Sequence, residues 1–230
     1  MKGYGQFCPV AKAVEVLGER WTLLIVRELL GGARRFNDIH RGVPLMSPSL
    51  LAQRLRALVR AGLVERRPID GMGRGSAYHL TAAGEDLRPV LMLLGTWGQR
   101  WVRSDYTDDD LDVGVLMWDV RRFVEPGLGS GQTVVLFHFS DAPAKMRSWW
   151  LVLDDGEVDL CLTDPGRDID LHVTTDVGTL TRVWMGDVAA GRVIADGRIT
   201  VHGRQPLVDR FPSWFAGNPL ASAAPVGFGR

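Results

Sequence analysis

One helix, bounded at both ends, constrains this chain more than any other feature. The stretch SPSLLAQRLRALVRAGLVERRP, residues 47–68, opens on Ser47 and Pro48. Serine is a good N-cap, and proline suits the first helical position, where a missing N–H costs nothing. Gly62 suits the left-handed residue that closes a helix. At about 100° per residue, Leu51, Leu55, Leu58 and Gly62 fall on one side. Ser49, Gln53, Arg56 and Arg60 occupy an arc of roughly 60° on the opposite side, with Arg54 on the flank. One face can be buried while the other projects polar and basic groups.

The neighbours of this helix give it a context. Residues 9–17 and 20–30 have helical apolar spacing, separated by Gly18 and ended by Gly31-Gly32, and RRFNDIHRGVP adds a short helix stopped near Pro44. After Gly62, LVERRPI reads as a strand, DGMGRGS as a glycine-rich turn with a basic tip, and AYHLT as the returning strand. The GMGRG run is not a dinucleotide fingerprint, because a strand rather than a helix follows it. Helices, then a basic helix, then a hairpin is the order of a winged helix-turn-helix. A helix fits the major groove of double-stranded DNA, and hairpin arginines can reach phosphates or the minor groove. Ser47, Ser49, Gln53, Arg54, Arg56 and Arg60 on the helix, with Arg67 and Arg74 on the wing, are the candidate DNA contacts. Which meet bases and which meet phosphates is left open.

Charge separates two modules. The 230-residue chain has a formal net charge of zero, yet residues 1–103 carry 16 Lys/Arg against 8 Asp/Glu and residues 104–230 carry 11 against 19. A basic first half suits a polyanionic partner and an acidic second half does not. The acidic stretch SDYTDDDLD marks the seam, giving a DNA-binding and dimerisation domain over 1–103, a linker over 104–112, a second domain over 113–216 and a loosely ordered tail over 217–230. No apolar run approaches a membrane span and no secretory signal is evident. Cys8 and Cys161 form no metal or disulfide pattern, which implies a reduced cytoplasmic setting without metal or cofactor.

Residues 8–103 resemble the HxlR-type winged helix-turn-helix of bacterial transcription regulators. The resemblance rests on the Cys-Pro-Val opening, the Gly-x-x-Trp-Thr-Leu-Leu-Ile run, Arg-Arg-Phe, and the Ser-Pro…Arg-Leu…Gly-Leu-Val-Glu-Arg series. It implies a homodimer on a palindromic operator, with the helix at 47–61 reading DNA. It also implies that the segment 82–103, apolar at 87, 90/91, 94, 97 and 101, contributes to the dimer interface, with Pro89 bending or resetting the helix. Some members use a cysteine at the position of Cys8 to sense oxidants or electrophiles, and Lys12, one turn on, could favour its thiolate. The alternative is a small buried residue with no redox role.

The second half alternates strands and helices. Residues 111–124 form an amphipathic helix, and TVVLFHF, SWWLVLD, EVDLCLTD and DIDLHVTTD read as strands joined by short turns, hence an antiparallel meander. A helix (VGTLTRVWMGDV), a small-residue crossing, a strand (RITVHG) and a final helix (PLVDRFPSWF) follow. Residues 110–216 resemble the sterol-carrier-protein-like fold. The whole is thus an α+β, two-domain protein whose second sheet is covered by helices. The resemblance implies an apolar tunnel for a fatty-acyl or sterol-like ligand, with Trp118, Trp149, Trp150, Trp184, Met185, Trp214 and Phe215 as candidate lining. His138, His172 and His202 are scattered singly, no catalytic constellation can be assembled, and no enzymatic activity is expected. The expectation is therefore a dimeric, ligand-sensing DNA-binding regulator. Its rivals are a lipid carrier with a winged-helix dimerisation module, and a Cys8 redox regulator with a structural second domain.

Overall fold

A computed structural model describes residues 3–69, 75–102, 106–107, 110–124 and 131–221. The chain divides into two compact units, Met1–Gly95 and Thr96–Arg230. The division falls upstream of the acidic stretch.

The first unit runs α1 (Pro9–Leu17), α2 (Thr22–Leu30), α3 (Phe36–Arg41), α4 (Pro48–Arg60), β1 (Val64–Pro68), β2 (Ser76–Leu80), α5 (Ala82–Glu85) and most of α6 (Arg88–Trp97). Its core joins Ile25, Val26 and Leu29 of α2, Ile39 of α3, and Leu51, Leu55 and Leu58 of α4 with Val43, Met46 and Val64. Burying each of these side chains contributes about 1.5–3 kcal/mol. Glu28 is also fully buried there, and the Arg27 guanidinium meets its carboxylate at 2.9 Å while also donating to the Gly42 carbonyl. A charge buried this deeply needs such a partner.

The wing is a two-stranded antiparallel hairpin, with Val64 opposite Leu80 and Pro68 opposite Ser76. It is moored to the start of α3 by a bridge between Arg35 and Ala77 and by the Tyr78 N–H, which donates to the Arg34 carbonyl at 2.8 Å. The segment 82–103 is not one helix. The turn α5 ends at Glu85, α6 starts at Arg88, and a π-helical turn, Gly98–Val102, follows it. The break has a local cause. A proline ring clashes with the carbonyl four residues back, which for Pro89 is that of Glu85, the last residue of α5.

The second unit contains α7 (Val113–Phe123), β3 (Thr133–Phe139), β4 (Ser148–Asp154), β5 (Glu157–Cys161), β6 (Leu171–Thr175), α8 (Val177–Trp184), α9 (Ala190–Ala195), β7 (Thr200–Gly203) and α10 (Gln205–Arg210), the last continued by a 3-10 turn, Phe211–Gly217. The sheet order is β5-β4-β3-β6-β7. This overturns the expected meander. Strand β6 lies parallel to β3 instead of pairing with β5, so the connection 162–170 crosses two strands. Asp170 fixes that placement. Its carboxylate accepts the Val134 N–H at 2.9 Å and the Arg204 guanidinium at 3.0 Å, holding β3, β6 and the end of β7 together.

Helices α7, α8, α9 and α10 contribute to one core on one face of the sheet. Val135, Phe137, Phe139, Leu151, Leu153, Leu171 and Val173 meet Leu116, Met117 and Val120 of α7, Leu180 and Trp184 of α8, Val193 of α9, and Phe211 and Trp214. Helix α9 occupies what reads in sequence as a small-residue crossing. Within the expected tail over 217–230, Asn218 is buried and donates to the Trp184 carbonyl at 2.7 Å, and residues 222–230 lie outside the described residues. Among the described residues no helix is long and apolar enough to cross a membrane.

Candidate nucleic-acid interface

Helix α4 has the boundaries its sequence specifies. Ser47 Oγ accepts the Leu50 N–H at 3.3 Å, and Pro48 occupies the first helical position. At the other end Gly62 adopts φ +73°. Its N–H donates to the Val59 carbonyl at 3.0 Å, and the Leu63 N–H donates to Leu58 at 3.1 Å, the paired bonds of a Schellman closure. Leu51, Leu55 and Leu58 are buried, while Ser49, Gln53, Arg56 and Arg60 are exposed. No hydrogen bond or ion pair engages the side chains of Gln53, Arg56 or Arg60 among the described residues. These groups are free to meet a partner along the length of the helix.

The other candidates divide. Ser49 Oγ lies 3.2 Å from Ser47 Oγ at the helix start, where free amide N–H groups favour an anion. Arg54, expected on the flank, turns inward: it is only 18% exposed and meets Glu19 at 2.7 Å. It belongs to the seam between α4 and the α1–α2 turn, not to the presented face. Arg67 pairs with Glu65 two residues earlier on the same strand. Arg74 lies outside the described residues.

Two exposed arginines were missed. Arg66 on β1 and Arg35 at the N-cap of α3 are both exposed and have no partner among the described residues. The bridge to Ala77 puts Arg35 beside the wing. The signal was in the sequence, as Arg-Arg-Phe and Glu-Arg-Arg, but the spacing that makes one arginine of each pair free is visible only in the fold.

Cys8 stands at the N-cap of α1. The amides of Ala11 and then Val10 hold its thiol below the ordinary range. Lys12, expected to assist, is instead engaged by Glu15 at 3.0 Å.

Residues 16–106 match the model of the HxlR-like helix-turn-helix family. The HTH-type transcriptional regulator YvaP of Bacillus subtilis is 36% identical over 104 residues, which are 45% of this chain and 96% of YvaP. The chain belongs to the HxlR-like helix-turn-helix family. The HTH-type transcriptional regulator Rv3095 of Mycobacterium tuberculosis is 42% identical over 93 residues, 40% of this chain, and this HxlR-like chain spans only 58% of that relative's length. The solved reduced form of the transcriptional regulator YodB from B. subtilis aligns at 33% identity with a TM-score of 0.37, covering 41% of this chain and 93% of YodB. The HxlR-like match thus lies in the first 106 residues.

Of the seven side chains expected to line a tunnel, five belong to one hydrophobic core. Trp149, Trp184, Trp214 and Phe215 are buried in the core, and Met185 packs at its edge. Two of the indoles are anchored: Trp149 Nε1 donates to the Met146 carbonyl and Trp184 Nε1 to Asp119. Trp118 is covered by the guanidinium groups of Arg121 and Arg122 at 4.9 and 5.7 Å from its ring centre. Trp150 points to the opposite face of the sheet from Trp149, as successive strand residues must.

Proposed function

We propose that this chain is a DNA-binding transcriptional regulator that acts as a homodimer on a two-fold operator. The observation that carries the proposal is the unpaired row Gln53, Arg56 and Arg60 on the exposed face of a helix fixed at both ends. Arg35 beside the wing and Arg66 on it add further exposed, unpaired basic groups, and family membership supports the reading. The domain over residues 1–103 supplies both DNA contact and dimerisation.

Dimerisation is supported by two apolar helices that leave most of their apolar side chains exposed in the single chain. Neither α1 nor α6 contains a buried residue. Phe7 is 99% and Leu93 72% exposed, with Val10, Val90, Leu94 and Trp97 also solvent-facing. Exposed apolar surface of this extent marks an interaction site. A two-fold dimer sets its reading helices about 34 Å apart, one turn of the duplex. A mobility-shift titration on DNA flanking its own coding region tests the proposal, with sequence-selective retardation as the expected result and non-selective binding as the contrary one.

For the domain over 113–216 the favoured role is binding an apolar molecule with one polar group. Thr181 Oγ1 and Trp214 Nε1 are buried with no partner among the described residues, and buried polar groups ordinarily have one. Native mass spectrometry of purified protein tests this. A retained lipid-like adduct supports the role, and a bare chain after gentle extraction argues against it. Control through the Cys8 thiol is the second reading, favoured by the amides that lower its pKa.

A further inference from the structure

The placement of β6 between β3 and β7 gathers histidines that are dispersed in sequence. Leu136 of β3 lies opposite His172 of β6, which lies opposite His202 of β7, and His138 shares their face of the sheet. That face is opposite the helix-covered core, since Phe137, Val173 and Val201 point the other way. His172 and His202 are both exposed. Neither imidazole has a hydrogen-bond or ionic partner among the described residues.

We propose that His172 and His202 bind a divalent transition-metal ion where β6 and β7 expose this face of the sheet. Side chains directly opposite in antiparallel strands have Cβ atoms about 4.5–5.5 Å apart. Two imidazoles rooted at that separation can converge on one ion, which each nitrogen would approach to about 2.0–2.1 Å. Asp170, two residues before His172, is held by Arg204 and the Val134 amide. A pair of imidazole nitrogens suits Cu2+, Ni2+ and Zn2+, with Cu2+ bound most tightly, and does not suit Ca2+ or Mg2+.

Water completes the coordination. No three His, Cys, Asp or Glu side chains converge among the described residues. His138 sits diagonally from His172, and its Nδ1 lies 3.4 Å from Ser148 Oγ. It stands outside the pair, and its substitution is a control. The site depends only on the second unit and is independent of DNA binding.

The test is a calorimetric titration of full-length, tag-free protein with Cu2+ and with Ni2+. One saturable site per chain is expected. His172→Asn or His202→Asn should each weaken it by more than the roughly tenfold that losing even an outer-shell partner costs. The double variant should abolish the site, whereas His79→Asn and His138→Asn should leave it within about twofold of the parent. Because a variant could perturb the sheet, paramagnetic broadening by sub-stoichiometric Cu2+ is read in the unaltered protein. The imidazole resonances of His172 and His202 should broaden first. Absence of a saturable site, binding that survives the double substitution, or first broadening at His40 or His79 would overturn the proposal.

Discussion

Arg54 and Glu19 meet at 2.7 Å, tying the presented helix to the turn between the first two helices. Among the arginines of α4, this one is spent on the fold. Arg54→Gln should therefore lower stability by about 0.5–1 kcal/mol, the usual range for a partly exposed pair. It should leave the salt dependence of DNA binding unchanged. Denaturant melts together with binding isotherms at several salt concentrations separate the two effects. A reduced salt slope would return Arg54 to the interface.

The closure of α4 depends on a left-handed glycine. At φ +73° a side chain at position 62 costs roughly 1–2 kcal/mol, although the space itself is open. Gly62→Ala should destabilise the first unit by that amount, and Gly62→Asn by less, because asparagine tolerates this conformation better. Chemical denaturation followed by a probe in the first unit reports the difference.

Gly42 is restricted by space instead. Its backbone is right-handed, but an added Cβ would collide with the buried Glu28 carboxylate. Gly42→Ala should cost more than about 2 kcal/mol, in the range of overpacked cores. Glu28→Ala removes the obstacle, so the double variant should be more stable than additive losses allow. A double-mutant cycle measures that coupling, and strict additivity would place the collision elsewhere.

The Cys8 thiol is lowered by the amides of Ala11 and Val10, so its thiolate is populated at lower pH than an ordinary cysteine's. Alkylation of Cys8 by iodoacetamide should accelerate at correspondingly lower pH in native protein than in the same chain in urea, where those amides are dispersed. The check is a pH–rate profile by mass spectrometry in each condition. Coincident profiles would show that the helix start exerts no effect on the thiol.

Dimerisation through α1 and α6 should be sensitive to charge. Phe7→Glu with Leu93→Glu should give a folded monomer in sedimentation equilibrium, because both side chains are exposed in the single chain and support no core. A dimer that survives the double substitution would place the interface on another surface.

The first unit was legible because its signals are local. Ser47, Pro48 and Gly62 bound a helix by their own chemistry, and the three leucines of α4 repeat at helical spacing. What sequence could not show was which arginines are taken. Arg54 finds Glu19 across 35 residues, and Arg67 finds Glu65 where Arg66 finds nothing. The second unit hid its topology, because strand alternation fixes which face a residue takes and not which strand lies beside it. The pairings of β6 with β3 and with β7 are therefore invisible in a run of alternating residues, and with the second the meeting of His172 and His202. The opposed directions of Trp149 and Trp150, by contrast, follow from alternation alone and were open to reading from the start.

The central claim is that Arg56 and Arg60 meet DNA. Its most direct measurement is the slope of log affinity against log salt for the parent and for Arg56→Ala/Arg60→Ala on the same duplex. Each phosphate contact contributes about 0.9 to that slope. If both arginines meet phosphates, the double variant should bind more weakly with a slope shallower by about 1.8. If either meets a base edge, the slope should change less and discrimination between operator and unrelated DNA should fall. Unchanged affinity, slope and discrimination would contradict the account.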